Sequence, residues 1–239
     1  MEKFDILAIG AHPDDVELGC GGAIAKWSAE GKKVAILDLT QGELGTRGSA
    51  ELRDQEAANA AKILGVENRH QLGLKDGFIR NDEESQLKLI REIRYFRPHL
   101  LLINAPDDRH PDHPHAAALA KDAAFKAGLR KIETHWDGIL QEAHRPKLIF
   151  HYVQFWNIQP DIIMDISGYL EHKIESVKAY GSQFYQPNSS EPATAISSQN
   201  FWESIEYRAK DMGRLIYTDA GEAFISAQPM GCDNLFDLR

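Results

Sequence analysis

Apolar and polar positions along the chain sort into two alternating kinds of segment. Residues 4–10 (FDILAIG), 34–39 (VAILDL) and 100–104 (LLLIN) are short runs with hardly a polar break. They read as strands covered on both faces, where the period-two alternation of a half-exposed strand is lost. Helical patterns lie between and after them. Residues 22–30 stop at Gly31, 50–64 stop at Gly65, and the alanine-rich 114–127 stops at Gly128. In 85–96, Leu87, Ile90, Ile93 and Arg94 mark the turns, and Pro98 closes the segment. This alternation predicts an α/β chain with a Rossmann-like three-layer fold and a mainly parallel sheet. Beyond Gly128 the regularity weakens, with strands expected at 148–155 and 162–166 and helices at 169–184 and 201–215. Residues 186–200, rich in Pro, Ser and Asn, should form a loop long enough to serve as the lid or rim of a site. No repeat or linker interrupts this elaborated C-terminal third, so one domain spanning 1–239 is expected.

Composition narrows the partners. The 36 acidic and 27 basic residues leave a net charge of −9, which argues against nucleic acid or an anionic membrane surface as a ligand. Two cysteines, Cys20 and Cys232, are too few for a disulfide framework and suit a reducing compartment. No apolar run approaches the ~20 residues of a membrane span. The acidic start, Met1-Glu2-Lys3-Phe4-Asp5, lacks the basic stretch of a signal peptide. A cytoplasmic protein with no membrane partner is expected.

Chemistry concentrates at two strand exits. The first strand runs into Ala11-His12-Pro13-Asp14-Asp15, and the strand at 100–104 runs through Ala105-Pro106 into Asp107-Asp108-Arg109-His110-Pro111-Asp112-His113-Pro114-His115. Ligands of open α/β sheets bind beyond the carboxyl ends of the strands, so both segments are expected to face one cavity. Imidazole and carboxylate together suit Zn²⁺ or a similar divalent ion, and a catalytic zinc takes three protein ligands with one position left open. Prolines 13, 111 and 114 restrict the backbone around these groups. The residue types alone leave open which of Asp14 and Asp15 binds a metal, and which histidines are spare.

The pair of motifs, AHPDD and HPDHPH, resembles the zinc-dependent N-acetylglucosaminyl deacetylases of the PIG-L or LmbE-like family. The likeness extends to Gln41-Gly42-Glu43-Leu44-Gly45-Thr46-Arg47-Gly48, to Arg53 with Glu56, and to Ser182-Gln183-Phe184-Tyr185. These resemble the branch that deacetylates N-acetylglucosaminyl malate in bacillithiol biosynthesis. The resemblance implies one zinc per chain, other divalent metals being possible, held by His12, Asp15 and His113. It implies Asp14 as general base and His110 as the group that stabilises the oxyanion or donates a proton, with Asp112 orienting its ring. It also implies a small N-acetylglucosamine conjugate as substrate and a homo-oligomeric assembly.

Arg53 and Arg109 are candidates for substrate contacts, since a guanidinium pairs bidentately with a carboxylate and malate carries two. Trp136, Tyr152, Trp156 and Tyr185 could stack on a sugar, although packing explains each as well. The glycines at 42, 45 and 48 match neither a phosphate loop nor GxGxxG and are expected to border the pocket. Two other readings remain. One is a nucleotide-dependent oxidoreductase with Asp38 holding a ribose, against which stands the bulky, acidic AHPDD where a pyrophosphate needs bare amides. The other is a non-catalytic metal- or sugar-binding module, against which stand the surplus acid–base residues.

Overall fold

The structure is a computed structural model and describes residues 3–237. Its centre is a seven-stranded sheet in the order β3-β2-β1-β4-β7-β9-β8. Five of these strands, β1 (Ile6–Gly10), β2 (Val34–Asp38), β3 (Asn68–Gln71), β4 (Leu100–Ile103) and β7 (Leu148–Tyr152), run parallel. β8 (Ile162–Asp165) forms the other edge, and β9 (Gly221–Ser226) lies antiparallel between it and β7. The sheet is mainly parallel, as the apolar runs imply, because β1, β2 and most of β4 are buried on both faces.

Helices α1 (Asp15–Ala29), α2 (Ala50–Ile63), α3 (Glu83–Phe96), α4 (Asp112–Ala127), α5 (Leu170–Lys178) and α6 (Gln199–Leu215) flank the sheet. One apolar cluster joins α3 and α4 to one face through Leu89, Ile93, Leu119 and Ala123 against Leu7, Ile9 and Leu101. A second joins α1 to the other face through Val16, Ala23 and Ile24 against Ile6, Ala8 and Ile36. β1 has β2 on one side and β4 on the other, and the chain leaves it first toward β2 and later toward β4. That reversal is the switch point at which an open α/β sheet leaves a crevice.

Several boundaries differ from the sequence expectation. α1 starts at Asp15 rather than at 22, with a break at Cys20, whose φ of −146° and ψ of 22° are not helical. α4 starts at Asp112, which puts His113 in a helical first turn rather than in a loop. α5 stops at Lys178, short of the expected 184. The two strands of a small hairpin, β5 (His135–Trp136) and β6 (Ile139–Leu140), and strands β3 and β9 are additions. Residues 186–198 form a loop as expected. No helix among the described residues is long and apolar enough to cross a membrane.

Candidate active site

Two strand exits are stitched together by one polar residue. Asn104, just beyond β4, accepts a hydrogen bond from the Ala11 amide at Oδ1 (2.9 Å) and donates from Nδ2 to Asp15 Oδ2 (3.0 Å). The same Asp15 oxygen accepts the His12 amide at 2.9 Å, and Asp15 Oδ1 accepts the Gln154 side-chain amide at 2.7 Å. Asp15 is therefore fixed from three directions, and its two oxygens face two imidazoles, His12 Nδ1 at 3.6 Å and His113 Nε2 at 3.2 Å. Burial alone would raise its pKa, but the charge and hydrogen bond of His113 and those of His12 hold it well below the ordinary carboxylate range.

Each imidazole is held from behind by another carboxylate. His12 Nε2 lies 3.0 Å from Asp76 Oδ1 and 3.3 Å from Asp112 Oδ2, and His113 Nδ1 lies 3.0 Å from Asp108 Oδ2. Asp76 is itself positioned by the Leu44 amide (2.9 Å), and Asp112 by the Gly77 amide (2.7 Å). Burial would lower the pKa of both rings. The carboxylates around His12 outweigh that and raise it well above the usual value, and Asp15 with Asp108 brings His113 up to about 9.

His110 completes a histidine triangle, with ring centroids 4.6 Å from His12 and 5.3 Å from His113. Its Nδ1 accepts the Asp112 backbone amide at 3.2 Å, which in the neutral ring leaves the proton on Nε2. The ring is thus oriented by the backbone of Asp112, whereas the carboxylate of that residue turns toward His12 and Gly77. Burial, and then the charges of His12 and His113, lower the pKa of His110.

Asp14 stands apart from this network. Its φ of 117° with ψ of −21° is a strained conformation for a residue with a Cβ, and its side chain makes no capping bond to α1. Burial pushes its carboxyl up to about 7, against the pull of Arg53, whose Nη2 stands 3.6 Å away. Arg53 also donates from Nη1 to the Pro13 carbonyl at 3.2 Å. Gly42, at φ +66°, lies flat against this guanidinium, since a Cβ there would stand 2.3 Å from Nη1.

These groups wall a cavity of about 310 Å³. His12, Asp14, Asp15, His110, His113, Arg53 and Arg109 line it, and Asp112 lies fully buried behind it. The glycine-rich loop contributes Gly42, Leu44, Gly45 and Thr46, and the 186–198 loop contributes Thr194, Ala195 and Ile196, so the latter is a rim. Arg109 rests its guanidinium over Phe155, 5.1 Å from the ring centroid. Trp136 stacks on Tyr95 instead, Tyr152 is fully buried with its hydroxyl on the Ile9 carbonyl, and His115 is exposed. Asn104, Asp76 and Gln154 were not expected at the site. The visible sequence signal was only a polar Asn closing the apolar run at 100–104. Asp38 is buried with both oxygens on Arg69 (2.6 and 2.9 Å), so it is not presented to a ribose as the oxidoreductase reading requires.

The donor set suits a divalent ion. One ligand atom each of His12, His110 and His113 lies within 4.8 Å of the others, as does one each of His12, Asp76 and Asp112. Carboxylates behind metal-binding imidazoles are the usual outer support, fixing the tautomer and leaving the forward nitrogen to the ion. Asp76 and Asp108 occupy those rear positions here, and the forward nitrogens of His12 and His113 meet Asp15.

Fold and site together define an α/β protein with a histidine–carboxylate centre, capable of binding metal, at the switch point of a parallel sheet. The family pattern described as GlcNAc-PI de-N-acetylase matches residues 7–124. Diacetylchitobiose deacetylase from Thermococcus kodakarensis is 32% identical over 190 residues, covering 75% of this chain and 70% of that protein. A probable N-acetyl-α-D-glucosaminyl L-malate deacetylase 2 from Bacillus anthracis is 24% identical over 226 residues, covering 82% and 93%. The crystal structure of a conserved protein from Thermus thermophilus superposes with a TM-score of 0.85 at 35% identity, covering 96% of this chain and 97% of that one. The chain belongs to the PIG-L family, and its relatives there include hydrolytic N-deacetylases.

Proposed function

We propose that the protein is a zinc-dependent hydrolase that removes the N-acetyl group from an N-acetylglucosamine conjugate, with N-acetylglucosaminyl malate as the leading candidate. One deacetylase domain over residues 1–239 carries this activity, in the cytoplasm and in a homo-oligomer. The observation behind the reading is a division of labour between neighbours. Asp15 is locked among two imidazoles, while Asp14, one residue earlier, is buried, strained and outside that network.

In this reading His12, Asp15 and His113 hold one ion, supported from behind by Asp76 and Asp108. The ion, when bound, supplies Lewis acidity toward the amide and lowers the pKa of water, the two deficits that make acetamide hydrolysis slow at neutral pH. Asp14 takes the proton of the attacking water and passes it to the departing amine. Its raised pKa suits a group that must both accept and release a proton near neutrality. His110, with its proton on Nε2, donates to the acetamide oxygen as negative charge builds there. Arg53 clamps the Pro13–Asp14 segment and, with Arg109, remains a candidate contact for the substrate.

The test is a metal analysis of the purified protein coupled to amine-release assays on the malate, inositol and disaccharide conjugates of N-acetylglucosamine. Release is expected to fall with a chelator and to return with Zn²⁺. Absence of chelator-sensitive release from every conjugate would overturn the proposal. Asp108→Asn gives a sharper check on the ligand set. Loss of the carboxylate behind His113 should weaken zinc binding about 10–100-fold in a chelator competition, the usual effect of removing an outer support. Unchanged affinity would remove His113 from the set.

A further inference from the structure

A second cavity, about 430 Å³, lies next to the first. It is bounded by α6, the segment after β7, the start of β9 and the first turns of α1. Leu18, Gln154 and Phe201 line both cavities, and all three are only half-buried, so they form a shared edge rather than a sealed wall. Phe201 packs against both Phe155 and Phe184 with near-parallel rings (18° and 6°). Gln154 spends its amide N–H on Asp15, and its Oε1 is buried without a partner among the described residues.

The charged side chains of this cavity, Lys173, Arg208, Asp211 and Glu222, are not all paired with one another. Lys173 is committed, with its ammonium on Glu222 Oε1 (2.6 Å) and on the Leu18 and Glu17 carbonyls. Asp211 is committed to Arg214 at 2.8 Å on the outer face of α6. Arg208 is different. It donates from Nη1 to the Phe155 carbonyl (2.9 Å), no ion pair joins it to a carboxylate among the described residues, and the Asp108 carboxylate in the wall of the first cavity acts on it from beyond ion-pair distance. A half-buried guanidinium whose planar fork is mostly unspent is a site for a carboxylate, which pairs with it bidentately. Arg208 and Arg109 also bracket one residue, the first on the Phe155 carbonyl and the second over the Phe155 ring.

We infer that the second cavity is the subsite for the group conjugated to the sugar, and that Arg208 determines specificity by binding a carboxylate of that group. This rests on the deacetylase reading of the first cavity and adds where a carboxylate of the conjugated group is held. The sugar places its acetamide beside Asp14, and the aglycone crosses the edge at Gln154 and Phe201.

The experiment compares the wild type with Arg208→Met and Arg208→Lys on N-acetylglucosaminyl malate and on the uncharged methyl glycoside of N-acetylglucosamine. Arg208→Met should lose about 10–100-fold in kcat/KM on the malate conjugate, mainly through KM, the range of a lost charged hydrogen bond. It should change less than about twofold on the methyl glycoside, which also shows that the variant is folded. Arg208→Lys should recover part of the loss by keeping the charge. Equal losses on both substrates, or none on the malate conjugate, would overturn the assignment. Free L-malate supplies a readout that does not depend on turnover. Binding to the wild type that is lost in Arg208→Met supports the subsite, and no binding to the wild type overturns it. Should malate bind while no conjugate is hydrolysed, the deacetylase reading falls and the anion subsite stands.

Discussion

Asp14→Asn is expected to cut deacetylation at least ~10²-fold while leaving the fold and zinc uptake intact. The rate figure is the usual share of general-base catalysis, equivalent to about 2.7 kcal/mol in the barrier. The separation of effects follows from the geometry. The contacts of Asp14 run backward to Arg53 rather than to His12 or His113, whereas Asp15 faces both imidazoles. Asparagine is isosteric, and it tolerates positive φ better than most residues with a Cβ. Arg53 keeps its bond to the Pro13 carbonyl, so the strained peptide stays clamped. The check has two arms, metal content of the purified variant and its kcat on whichever conjugate the wild type hydrolyses. Near-normal turnover in a zinc-loaded variant would take the base role away from Asp14. Loss of zinc together with activity would instead move Asp14 into the ligand set.

The paired motifs were legible because each combines residues that one local segment brings to one strand exit. His12 with Asp15, and His110 with His113, are three apart, and β1 and β4 are direct neighbours in register. The supporting groups were less legible. Asp76 reaches His12 from 64 positions away, out of the loop after β3, and nothing near Asp76 in sequence marks it. Asp108 lay inside the motif, but spacing alone could not say that its carboxylate backs His113.

The same contrast holds for the fold. β1 and β2 announce themselves as apolar runs, whereas β3 reads Asn-Arg-His-Gln and pairs only with β2 at the sheet edge. Its Arg69 is bound to Asp38 and Glu17 rather than solvated, a buried arrangement that polarity alone hides. β9 hides for another reason. Its six residues follow a long helix and enter the sheet antiparallel, between strands that come earlier in the chain. The hairpin β5–β6 could have been read, since Asp137-Gly138, both at positive φ, is a strong two-residue turn signal. The part of α1 before residue 22 is hard to read because Gly19 and Gly21 are poor helix formers, a weakness that tertiary contacts override.

Those contacts set up the largest stability effect expected in the molecule. The break at Cys20 frees carbonyls on one side and amides on the other. Lys173 takes the Glu17 and Leu18 carbonyls (3.3 and 2.7 Å), and Glu222 takes the Gly22 and Ala23 amides (3.0 and 2.7 Å). The two charges meet at 2.6 Å, each 4% exposed, so one buried ion pair caps both halves of a broken helix. Gly19 lets the Tyr152 ring into the break, since a Cβ there would stand 2.1 Å from the ring. Removing one partner leaves the other charge buried and unpaired, which costs about 3–5 kcal/mol. Glu222→Gln and Lys173→Met should each lower the urea midpoint accordingly. The double variant should be more stable than the sum of the two losses predicts, by a coupling of roughly 0.5–3 kcal/mol. Additive losses, or single losses below about 1 kcal/mol, would show that the break is held by packing instead. The consequence reaches the site, because the half-helix before Cys20 carries Asp15 at its first position and follows directly from Asp14. A variant that loosens this half should lose zinc affinity before it loses the rest of the fold, and titrating zinc at urea concentrations below the midpoint would show it.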